Sequence, residues 1–177
     1  MIDFFKCPQD WLDFFYRDDV KDLLDEKDNY DCFYNIAVSK INIVFLTIEK
    51  EEYNFSSSYV SKSFQNIYKE LENEGYYPVK DGDIRHWYKS GILFMNMFYL
   101  NIDLCIKIIE FLMKKSDIIW VILDTENKDE DKIKSILRDS KINYLSTNPL
   151  SKSFFGSNLF KNINKTLKKN GKDPIPW

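Results

Sequence analysis

The chain has 177 residues, 44% of them apolar, with 14 Phe, 11 Tyr and 4 Trp; that is one domain's length, enough to pack a core without metal or disulfide staples, and it excludes a disordered chain despite 30% charged residues. The net charge of −3 does not advertise a nucleic-acid binder, and a single histidine, His86, starves any mechanism that needs paired histidines. Cys7, Cys32 and Cys105 are too few and too scattered for a disulfide framework or a zinc site, which points to a reducing, intracellular setting.

In chain order, Asp10 to Leu24 reads as an amphipathic helix with Trp11, Phe14, Phe15, Leu23 and Leu24 inward. Residues 41–46, Ile-Asn-Ile-Val-Phe-Leu, form a strand-length run that ends in the charged stretch Glu49-Lys50-Glu51-Glu52. Ser56-Ser57-Ser58 leads to Ser63, read as the N-cap of a helix from Phe64 to Glu74. Asp81-Gly82-Asp83 is a turn before a helix around Trp87. Ile92 to Met97 is a buried strand, Asp103 to Lys115 a helix, Asp117 to Asp124 a third strand and Lys132 to Arg138 a helix. Ile142 to Leu145 is a short fourth strand, and a final helix ends near Gly171. The alternation predicts a single α/β domain over 1–177, a three-layer α/β/α sandwich about a mostly parallel four-stranded sheet.

No apolar run approaches the roughly 20 residues of a membrane helix, and Met1-Ile2-Asp3-Phe4-Phe5-Lys6 lacks the pattern of a signal peptide. Charge is uneven: residues 1–35 hold four Lys/Arg against ten Asp/Glu, while 146–177 hold six Lys against Asp173 alone. The basic end either meets phosphate or is a solvated helix face.

Three segments resemble the uracil-DNA glycosylase family, which excises uracil from DNA. Residues 64–71, Phe-Gln-Asn-Ile-Tyr-Lys-Glu-Leu, are similar to the helix after that family's proline-rich loop. Gly82-Asp83-Ile84, Trp87 and Gly91 to Asn96 are similar to its central strand. Asn148-Pro149-Leu150-Ser151, Phe154-Phe155-Gly156, Phe160, Asn164 and Pro174-Ile175-Pro176-Trp177 resemble its C-terminal signature. With the strand at 41–46 these tie about 130 residues to the family; before residue 40 little matches beyond Trp11.

In that family uracil is flipped into a pocket, stacked on an aromatic ring and read by an Asn amide. An Asp in a Gly-Gln-Asp-Pro-Tyr-His turn positions water, and a His in a His-Pro-Ser-Pro loop stabilises the leaving anion. The resemblance implies that Asn96 is the base-reading Asn and Tyr59 the stacking ring. It implies DNA contacts from Ser63, Thr125, Pro149, Leu150 and Ser151, with Leu150 the wedge of a loop two residues short. The plainer readings are a turn Asn at a strand end and an ordinary packed Tyr.

The catalytic motifs differ. Thr47-Ile48-Glu49-Lys50-Glu51-Glu52 stands for the catalytic turn, with Glu49 at the water-positioning place; a two-residue shift would put Glu51 there and Tyr53 on the Tyr that blocks the thymine methyl. The stretch also reads as a solvated acidic loop. Ser146-Thr147-Asn148-Pro149 stands for the His-Pro-Ser-Pro loop, with Ser146 at the His. His86 lies at a helix start instead. Asp81 and Asp124, with Glu49, Glu51 and Glu52, make the expected DNA cleft acidic, and each carboxylate opposes phosphate. No metal or cofactor is implied.

Three functions are open on this reading. The first is a catalytically inactive glycosylase-fold protein that binds a protein partner in a replication, transcription or repair assembly. The second is an altered or residual uracil-DNA glycosylase, and the third a non-catalytic, weak DNA binder. The expected location is intracellular, in cytoplasm or nucleus, with a viral or mobile-element source in view.

Overall fold

Ile43–Thr47 (β1) is apolar up to its last residue and buried at all five positions, the pattern of a strand covered on both faces. Ile119–Leu123 (β3) is likewise buried throughout, and Ile92–Asn96 (β2) is buried at all but its last residue, Asn96. Tyr144–Thr147 (β4) is only partly covered and forms an edge. The structure, a computed structural model, describes residues 2–3, 5–48, 60–80, 82–123 and 128–177, with the backbone alone at 128–130. The four strands lie in the order β2-β1-β3-β4 and are parallel throughout, so the expected mostly parallel sheet is wholly parallel.

The helices are Gln9–Phe15 (α1), Asp31–Tyr34 (α2), Lys62–Asn73 (α3), Arg85–Lys89 (α4), Ile102–Leu112 (α5), Lys128–Asp139 (α6) and Leu159–Lys169 (α7). The first is much shorter than the periodicity suggests. The chain leaves α1 at Tyr16, and Val20 N–H bonds to Arg17 O at 3.0 Å while Arg17 pairs with Asp19 at 2.9 Å. Asp18 and Asp19 favour such local bonds over a continued helix. A short 3-10 turn at Lys21–Leu23 is all that remains of the expected second half.

The N-cap of α3 is Ser61, not Ser63: the Ser61 hydroxyl accepts from Phe64 N–H at 3.2 Å. The helix closes at Gly75, where φ is +90°. Gly75 N–H reaches Glu72 O and Tyr76 N–H reaches Leu71 O, both at 2.9 Å. That pair of hydrogen bonds needs a left-handed residue, which glycine supplies without steric cost. The end of α6 uses the same device with Lys141 at φ 56°. Ile142 N–H is spent on Leu137 O at 2.9 Å, which is why β4 begins at Tyr144 rather than Ile142. The expected stop near Gly171 is found, with Lys172 N–H bonded to Leu167 O at 2.9 Å.

Right-handed crossovers place α3 and α4 on one face of the sheet and α5 and α6 on the other. On the first face Phe45 and Phe94 stack at 5.7 Å with planes 11° apart. Trp87, Phe64 and Trp177 close over them. On the second, Phe14 of α1 stacks on Phe111 of α5 at 4.6 Å beside Trp11, whose indole N–H donates to Ile36 O at 2.8 Å. Burying each such ring stabilises the fold by about 1.5–3 kcal/mol. The residues before 40, where the resemblance is slight, belong to the same buried cluster as the sheet.

Candidate functional site

The strand order reverses between β1 and β3, since the chain leaves β1 toward one edge and β3 toward the other. A crevice outside the carboxyl ends of strands at such a point is where open parallel sheets bind ligands. The last row of the sheet faces it. Thr47 pairs with Asn96 on one side and with Leu123 on the other, and Leu123 pairs with Thr147. Side chains of one row leave the sheet on the same face. Glu49, Tyr59 and Thr125 lie outside the described residues, as do Glu51, Glu52, Tyr53, Asp81 and Asp124.

Asn96 stands in this row, half-buried, and its carboxamide oxygen accepts from Phe98 N–H at 3.1 Å. That bond caps the turn Met97–Tyr99, so the oxygen has a structural duty beside any role with a ligand. Thr47 is 1% exposed and its hydroxyl has no hydrogen-bond partner among the described residues. In the ungapped one of the two registers that the resemblance leaves open, this position stands for the Gly of the family's catalytic turn. Here a branched side chain fills it, in the row of Asn96. Ser146 pairs with Ile122, one residue short of that row. By the alternation of the pleat its side chain leaves the sheet on the face opposite Asn96. The structure therefore brings Thr47 and Asn96 together and leaves Ser146 apart.

The segment after β4 is held from below. Pro149 is buried, and its carbonyl accepts from the Asn66 amide at 2.8 Å. Asn148 closes a tight turn: its side-chain oxygen accepts from Leu150 N–H at 2.8 Å and its carbonyl from Ser151 N–H at 2.9 Å. Ser151 and Ser153 hydroxyls bond at 2.8 Å. Leu150 projects from this frame, 58% exposed. Ser63, by contrast, is buried in the first turn of α3. A polar cleft of about 440 Å³ adjoins the turn, lined by Ser146, Thr147, Asn148, Ser153, Ser157 and Asn162 among others.

Glu70 and Glu74 of α3 are buried, at 0% and 6% exposure. Glu70 accepts from Gly156 N–H at 2.9 Å and Asn158 N–H at 3.3 Å. Glu74 accepts from Phe160 N–H at 3.1 Å and Lys161 N–H at 2.5 Å, two donors in the first turn of α7 that no later turn could satisfy. Burial pushes the Glu74 carboxyl above its ordinary value, the two N–H bonds pull it back, and nearby Glu70 adds to the rise. Sequence reasoning missed this pair. The signal was present: Asn66, Glu70 and Glu74 recur every fourth residue beside the apolar stripe Phe64, Ile67, Tyr68 and Leu71. Among the described residues no group of three His, Cys, Asp or Glu could hold a metal ion, and no helix is long and apolar enough to cross a membrane.

No family model matches the chain. It is similar to a uracil-DNA glycosylase of Lacticaseibacillus casei (strain BL23), 30% identical over 132 residues that take in 65% of this chain and 58% of the relative. The uracil-DNA glycosylase of Enterococcus faecalis (strain ATCC 700802 / V583) is 30% identical over 136 residues, 67% of this chain and 60% of the relative. That of Limosilactobacillus fermentum (strain NBRC 3956 / LMG 18251) is 29% identical over 136 residues, 67% and 59%. The chain spans about three fifths of the length of these curated relatives.

Proposed function

Because this chain is a relative of the uracil-DNA glycosylases, we propose that it is a catalytically silent form of that fold which acts by binding. The observation that carries the reading is the row of Thr47 and Asn96. A base read by the Asn96 amide needs space beside it, and the buried Thr47 side chain stands where the resembled turn has Gly. Two further features support it. Ser146 takes the place of the catalytic His and its pairing with Ile122 turns it from the Asn96 face. Glu49-Lys50-Glu51-Glu52 replaces the Asp, Pro, Tyr and His of the water-holding turn. Losing one oxyanion donor costs about 10²–10³ in rate, and with a misplaced carboxylate the deficit reaches about 10⁴.

Glu49, Glu51, Glu52, Asp81 and Asp124 stand in the sequence where the resemblance expects a DNA cleft, and carboxylates oppose phosphate, so the partner in this reading is a protein, in a replication, transcription or repair assembly inside the cell. The assay is release of uracil from single- and double-stranded oligonucleotides, read on a gel after alkaline cleavage. No product is expected. Turnover within about a hundredfold of an ordinary glycosylase would overturn the proposal.

One observation favours a second reading, non-catalytic DNA binding. The segment that resembles the wedge loop keeps Pro149, Leu150 and Ser151, holds them with internal bonds and leaves Leu150 exposed. Fluorescence anisotropy with a labelled duplex, followed against salt, decides between the two.

A further inference from the structure

Three buried polar side chains, spaced four residues apart along α3, face one stretch of the chain about 85 residues later. Four residues of helix advance about 6 Å, so Asn66, Glu70 and Glu74 form a ladder of three rungs. Asn66 holds Pro149 O, Glu70 holds Gly156 N–H and Asn158 N–H, and Glu74 holds Phe160 N–H and Lys161 N–H. Ser157 Oγ lies a further 3.5 Å from Glu70. Every rung is 6% exposed or less. Burying two carboxylates on one helix face is costly unless their hydrogen bonds are made, and here they are made to backbone donors of one segment.

We propose that Asn66 and Glu70, with Glu74 at the foot of α7, are positioning residues that hold residues 149–158 in one conformation and so present Leu150 to duplex DNA. The proposal rests on the second reading above. The first rung grips the residue before Leu150, and the second grips the chain six residues after it, so both ends of the exposed turn are tied to one rigid helix. A turn ordered in advance loses less entropy when it binds. Its flanks carry exposed Lys152 and Lys161, which suit a phosphate backbone, and an exposed leucine is the kind of apolar side chain that enters a base step.

Two measurements test this in the full chain. In Glu70→Gln the amide NH₂ meets a backbone donor where a carboxylate oxygen stood. Hydrogen exchange should quicken by about tenfold or more at Gly156 and Asn158 and stay unchanged in β1. Unchanged exchange at Gly156 and Asn158 would overturn the clamp. In the second measurement, Asn66→Asp turns the donor to Pro149 O into an acceptor, and anisotropy is read with a fluorescein-labelled duplex at low salt. Affinity should fall about fivefold or more in the native background and less than about twofold in a Leu150→Ala background. Equal losses in both backgrounds would mean that Asn66 acts on the fold and not through Leu150, and would overturn the proposal, as would no loss in either. If the unsubstituted chain does not bind the duplex, the DNA reading and the proposed role of Leu150 fall together, while the exchange result still judges the clamp.

Discussion

Thr47→Val is the sharpest perturbation of the crevice row. The Thr47 side chain is 1% exposed and its hydroxyl has no hydrogen-bond partner among the described residues. A buried hydroxyl left unpaired costs about 1–3 kcal/mol, and valine keeps the branched shape while adding apolar contact in a strand that favours it. Allowing for relaxation around the new methyl, the gain should be about 1–2 kcal/mol. For a chain of this size that raises the melting temperature by roughly 3–6 °C. Urea unfolding followed by tryptophan fluorescence gives the value directly, provided the slope with denaturant is unchanged. Thr47→Ser is the control: it keeps the hydroxyl, deletes a buried methyl and should lower the midpoint. A fall in stability for Thr47→Val would refute the reasoning, because it would mean that the hydroxyl is bonded in solution.

Three other outcomes follow from the same residues. Ser146→His alone should give no uracil release in the oligonucleotide assay, since that side chain leaves the sheet away from Asn96; robust excision would show the row assignment to be wrong. The folded protein holds the Glu74 proton more tightly than the unfolded chain does, so this group's contribution is fully present below the ordinary value of 4.5 and is lost as pH rises through the raised one. The urea midpoint of the native chain should therefore gain on that of Glu74→Gln as pH falls from neutral toward 4.5, and a constant difference would refute it. Replacing Glu49, Glu51 and Glu52 together by Gln should tighten duplex binding and steepen its salt dependence if these residues face DNA; an unchanged anisotropy titration would mean that they face elsewhere.

The parallel sheet was legible in the sequence because β1, β2 and β3 are continuous apolar runs of strand length separated by helix-length segments. What patterning could not place were the ends. The run at 10–24 keeps its apolar residues in helical spacing, yet Arg17 pairs with Asp19 and Asp18 with Lys21 while Val20 N–H closes on Arg17 O, so the helix stops at Phe15. Ile142 looks like a strand residue by type, but its N–H is needed to close α6 over Lys141. Ser61 and Ser63 are equally good caps on paper. The helix begins at Lys62, so Ser61 takes the cap and Ser63 turns inward. In each case a hydrogen bond of the backbone outweighed a side-chain preference.

Motif comparison singles out Asn96, which the structure sets at the end of β2, and Pro149 to Ser151, which it sets in the turn after β4, but it assigns positions along the chain and says nothing of faces. Alternation in a strand sends neighbours to opposite sides, so the same comparison that sets Thr47 at a Gly and Ser146 at a His puts the first on the Asn96 face and the second on the other. The two substitutions are therefore different in kind. Ser146 deletes a donor, which a single exchange would restore if the strand faced the pocket. In the proposed reading Thr47 adds matter beside Asn96, and it does so at the end of a strand whose other four residues hold the core. Thr47→Gly would remove a buried side chain from the central strand and raise the flexibility of its end, so opening that position costs stability. The turn that carries Leu150 is tied to buried rungs of α3 while the buried Thr47 fills its place in the row of Asn96, and that is the asymmetry on which the binding proposal stands.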